Sequence, residues 1–75
     1  MSTREVRTAL DKAVALRQEV KVQYLGKDGN RTSYTLQPQR LALNPKGDQV
    51  VVAINSATDE LRTYKLARIE RMQPL

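Results

Sequence analysis

The hydrophobic rhythm of the chain changes near residue 19. Ahead of that point, Val6, Ala9, Leu10, Ala13, Val14 and Leu16 roughly follow helical spacing. Ser2 and Glu5 match the two ends of a capping box, in which each satisfies the other's backbone N–H. The pattern predicts one amphipathic helix over residues 3–17. From Glu19 onward the period falls to two. Val20, Val22 and Tyr24 share a face of a first strand, 20–25. The Asp28-Gly29 pair signals a hairpin. A second strand, 31–37, alternates Thr32, Tyr34 and Leu36 against Arg31, Ser33 and Thr35. Pro38 cannot donate to a ladder, so the strand is expected to end or bend there.

A third strand, 40–44, turns Leu41 and Leu43 inward. Pro45 presets φ, and Gly47 is free to take a positive φ, in the turn that follows. The most apolar strand is 49–55, where Val50, Val52 and Ile54 alternate against Val51 and Ala53. Val52 is assigned to the core, so a charge there should unfold the domain. The fifth strand, 61–66, places Arg62, Tyr64 and Leu66 on one face and Lys65 on the other. Beyond Leu66 the chain is expected to tighten into a turn that swings Arg68 away.

One helix and five short strands read as a mainly β domain spanning residues 1–75. A flat sheet this small leaves long edges exposed, and curling reduces them. The expected architecture is a small, partly open Sm-like or SH3-like barrel with the helix over one end. An OB-type barrel is the alternative, although its helix usually lies between strands. No second helix precedes the first, so a helix-turn-helix is not expected among these residues.

Composition narrows the chemistry. Thirteen Lys and Arg against eight Asp and Glu leave a net charge of +5, which favours polyanionic partners. Neither cysteine nor histidine is present, which removes disulfides, thiolate ligands, and the commonest general base and metal ligand. No cofactor or metal is expected. The acidic residues are scattered or sit in turns, and Asp59 and Glu60 point apart if they end a strand. An enzyme is therefore not expected. No apolar stretch approaches the ~20 residues that span a bilayer, so a soluble, cytoplasmic location is expected, with no membrane partner. Three tyrosines with no Phe or Trp make base-stacking platforms scarce.

The segment "RTYKLARIER" carries Arg62, Lys65, Arg68 and Arg71 at a strict spacing of three, which fits neither a helix nor a strand. It is expected to spread charge around one end of the barrel. The same tail resembles that of the WYL domain, a ligand-sensing module of bacterial and phage regulators. The resemblance rests on Arg62, Tyr64, Lys65, Leu66, Arg68 and Ile69. Upstream, "ALDKAVALRQEVKVQY" is similar to the family's opening helix and first strand, and "LQPQRLAL" to its bend around proline. The Trp-Tyr-Leu run that names the family is absent. Gln49, Val50 and Val51 stand there instead, which keeps the strand but removes a tyrosine that could line a pocket.

The resemblance implies an Sm-like module that senses nucleic-acid fragments or nucleotides, usually behind a DNA-binding domain. It also places Arg62 and Arg68 near the ligand pocket, where their planar donor forks would suit phosphate. The plainer role for Arg68 is to hold Glu70 or a backbone carbonyl. Tyr24 could meet a base or a phosphate, or simply pack beside Val20 and Val22. Arg31 and Arg40 could join a basic rim, and Lys65 and Arg71 supply field. Arg4, Arg7, Lys12 and Arg17 are spread around the helix as solubilising charge. The resulting expectation is a non-catalytic, regulatory binding module for single-stranded nucleic acid or a nucleotide-like phosphorylated ligand. The alternative is a protein-interaction module that binds a separate regulator or nuclease, or a further copy of itself, through a barrel edge.

Overall fold

The structure, a computed structural model, describes residues 1–75. Helix α1 spans Thr3–Leu16 and is opened by the anticipated capping box. Glu5 donates its N–H to the Ser2 hydroxyl at 3.2 Å, and the Glu5 carboxylate accepts the Ser2 N–H at 3.2 Å. Arg17 ends the helix in the left-handed conformation, φ 52°. Five strands follow: β1 Val20–Leu25, β2 Arg31–Leu43, β3 Gln49–Asn55, β4 Glu60–Lys65 and β5 Ile69–Pro74. A 3-10 turn, Leu66–Arg68, separates the last two. The sheet is antiparallel throughout, in the order β4-β3-β2-β1-β5. It is mainly β, strongly bent and not closed.

Two strand expectations are corrected. Residues 31–37 and 40–44 do not form separate strands. They run through Pro38 as one long β2, because a register shift between Pro38 and Arg40 absorbs the missing donor. Pro38 itself is buried. The fifth strand is instead β5, which pairs with β1. A register shift opposite Gln23 and Tyr24 leaves Glu70 as an extra residue, so Ile69 and Met72 lie three apart. That breaks the period-two signal.

The concave face of the sheet packs against α1. Val6, Leu10 and Ala13 of the helix meet Val20, Val22, Leu36, Val51, Ala53, Tyr64, Leu66 and Ile69 in one core. The phase of β3 therefore differs from the expected one. Val51 and Ala53 enter the core and are fully buried, whereas Val52 is half-buried on the other face. Leu43 is also not inward; it is 69% exposed at the end of β2. The curl brings all three tyrosines together. Tyr64 lies 5.5 Å, ring centre to ring centre, from both Tyr24 and Tyr34. Strands β1 and β4, three places apart in the sheet, thus meet across its open mouth.

Candidate functional site

Two of the expected cations converge. Lys65 and Arg68 line one open groove of about 620 Å³ together with Thr3, Leu25, Gly47, Asp48, Gln49 and Ala67. The groove forms where the end of β4 and the 3-10 turn pass the end of β1 and the start of β3. Leu25 is the common anchor. Its carbonyl accepts a hydrogen bond from Arg68 Nη1 at 3.2 Å, and its partner across the β1–β2 ladder is Arg31. The backbone-carbonyl role foreseen for Arg68 is the one observed, and Glu70 goes elsewhere. Arg31 holds it, with Nε 2.6 Å from Oε1 and Nη2 3.4 Å from Oε2.

Tyr24 fixes the groove from behind. Its hydroxyl accepts the Lys65 N–H at 3.0 Å, and its ring meets the edge of Tyr64. Tyr64 is buried and its hydroxyl accepts from Asn55 Nδ2 at 3.2 Å. The tyrosine cluster is thus a brace that ties β4 to β1, with the rings set edge-on or tilted against one another. Its effect is to hold the backbone at Lys65 while the lysine side chain reaches into the groove.

Asp48 was not among the sequence candidates. It lies at the end of the Asn44–Asp48 turn, whose closing hydrogen bonds run to the Asn44 side-chain oxygen from the N–H groups of Lys46 and Asp48. Its carboxylate stands 3.5 Å from Lys65 Nζ. The Asn44 amide, and then the charge of Lys65, hold the Asp48 carboxyl below its ordinary range. The signal that could have found it is the hairpin register: Val50 pairs with Lys65, which brings the preceding turn beside that lysine. Thr3 at the rim brings the positive end of α1 close, but Glu5 already occupies that helix end through the capping box.

The remaining candidates lie outside this groove. Arg62 is paired with Glu60 at 3.1 Å on β4, and both side chains are more than half exposed. Strand alternation turns Arg62 and Lys65 to opposite faces. Arg40 is exposed and stands opposite Val52 on the outer face of β2. Arg71 lies on the outer face of β5, opposite Gln23. The basic residues at every third position are therefore distributed over two faces, one turn and two strands.

A helix packed into a bent, open antiparallel sheet, with a basic groove at one end, defines a small binding-domain architecture. The chain matches the WYL domain family over residues 5–74 and belongs to it. Its fold is similar to part of the proteasome accessory factor B/C (PafBC) of Arthrobacter aurescens, with a TM-score of 0.87 at 18% identity. That match covers 96% of this chain and 11% of PafBC, so the chain spans about a tenth of that protein. No curated protein sequence matches. The groove runs beside the start of β3, at Gln49. No helix is long and apolar enough to cross a membrane.

Proposed function

We propose that this chain is a non-catalytic regulatory module that binds single-stranded nucleic acid or a nucleotide-like phosphorylated ligand. The observation that carries this reading is the meeting of Lys65 and Arg68 in one groove, on a chain of net charge +5. Family membership supports a sensing role. Arg68 offers a fork of donors to a phosphate while keeping one nitrogen on the Leu25 carbonyl. Lys65 supplies a mobile point charge. Tyr24 acts through its hydrogen bond to the Lys65 backbone, as a positioning residue. Arg31 joins when Glu70 releases it, a small cost for an exposed pair. Arg62 and Arg40 contact the flanking backbone of a longer strand and add to the field.

Binding of a fluorescent single-stranded oligonucleotide at two salt concentrations tests the reading. Affinity should fall as salt rises, because phosphate contacts release counterions. Affinity that ignores salt would remove the phosphate contacts from the account. The uncovered edge of β4 favours a second reading, in which the module contacts another protein or a second copy of itself.

A further inference from the structure

Strand β4 ends the sheet and pairs only with β3. Glu60, Leu61, Arg62 and Thr63 are all exposed, so neither face of this stretch is covered. Lys65 turns its N–H away from β3 to reach Tyr24. Backbone groups alternate sides along a strand, so Leu61 and Thr63 turn theirs outward in the same way. Nothing in the chain receives them. Free donors and acceptors on an edge form a template for another strand. Leu61 is 64% exposed, and its ladder partner Ile54 is half-buried beside it.

A second strand can add here in few registers. A one-residue slip would set opposite faces against each other. Centring an antiparallel pair of identical strands on Arg62 would put that arginine against its own copy, and centring it on Glu60 would do the same for the glutamate. A register centred on Thr63 would need the Lys65 N–H, which Tyr24 holds. Centring it on Leu61 places Glu60 opposite Arg62 of the second copy, and Arg62 opposite its Glu60. Opposite charges then face each other twice, with Leu61 against Leu61 between them.

We propose that the outer edge of β4 is a self-association site, at which a second copy of this chain adds antiparallel with Leu61 on the two-fold axis. The Glu60–Arg62 pair within each chain is exposed, so exchanging partners between copies costs little. The contact is smaller than a standard interface and the dimer is correspondingly weak. Salt screens both the repulsion between two chains of charge +5 and the Glu60–Arg62 attraction, so the dimer depends on salt less steeply than phosphate binding does.

Sedimentation across a concentration series tests the proposal on the parent chain, on Glu60→Arg, on Arg62→Glu, and on an equimolar mixture of the two variants. The parent mass should climb toward that of a dimer. Each single reversal should stay monomeric, because like charges then face each other twice. The mixture should dimerise, since one edge is doubly basic and the other doubly acidic. Arg62→Glu lowers the net charge by two from +5, so its loss of association cannot come from overall repulsion. Leu61→Lys should also abolish association. A parent chain that remains monomeric at about 1 mM overturns the proposal. So do single reversals that associate like the parent, or a mixture that fails to associate.

Discussion

Lys65 sits between two attractions. Asp48 holds its ammonium at 3.5 Å, and any phosphate in the groove must compete with that carboxylate. Asp48→Asn should therefore tighten oligonucleotide binding, by severalfold, without disturbing the fold. A titration of the variant beside the parent checks this, and unchanged affinity would place the ligand elsewhere. Acidification has the same direction of effect. Because the Asp48 carboxyl is held low, binding should strengthen only below the ordinary carboxylate range. The residue scale also shows where sequence reasoning ran out. Three successive valines, Val50, Val51 and Val52, carry no phase of their own. Packing in the shared core chooses Val51, which is 0% exposed. Val51→Asp should abolish folding, and Val52→Asp should cost only about 1 kcal/mol, as read from thermal melts followed by circular dichroism.

Elements were legible wherever local chemistry was self-contained. The Ser2–Glu5 cap, the Asp28-Gly29 hairpin and the Asn44–Asp48 turn all form as their residues require, with Gly29 at φ 84° and Gly47 at φ 85°. Two failures share one cause, the β-bulge. A bulge lets β2 run through Pro38, and another hides β5 by spacing Ile69 and Met72 irregularly. A bulge is specified by the neighbouring strand, so a single strand's pattern does not reveal it. The brace between β1 and β4 is likewise a product of the curl. Tyr24→Phe would leave the Lys65 N–H without its partner and should cost roughly 1–3 kcal/mol. A denaturant midpoint equal to that of the parent would show that the brace carries no weight.

For the whole molecule, the core is a single cluster of eleven residues between one helix and one bent sheet. Stability should fall with acid in a defined direction. Glu5, Asp28 and Asp48 are all held below their ordinary values, mainly by hydrogen bonds from Ser2, Asn30 and Asn44 respectively. A depressed folded-state pKa adds stability that is complete above the unfolded value and is lost as pH drops through the folded one. Melting temperature should thus hold steady near neutrality and decline below the ordinary carboxylate range. The candidate site was only partly legible at this scale. The resemblance singled out Arg62 and Arg68, of which only Arg68 lines the groove. Lys65, expected to supply field alone, is its partner there, and their convergence depends on how β4 passes β1. Their acidic neighbour Asp48 comes from a different turn.

The central claim is that a groove, and not merely a positive surface, binds phosphate. Its most direct measurement compares the salt dependence of single-stranded oligonucleotide binding for Lys65→Ala, Arg68→Ala and Lys12→Ala. Lys12 is an exposed cation on α1, outside the groove, so it controls for net charge. Each groove variant should lose about 1–3 kcal/mol of affinity, and its slope of log K against log salt should shrink by about 0.7. Lys12→Ala should leave the slope unchanged. If all three variants weaken binding equally, with equal slopes, the overall field alone is responsible and the groove is not a site.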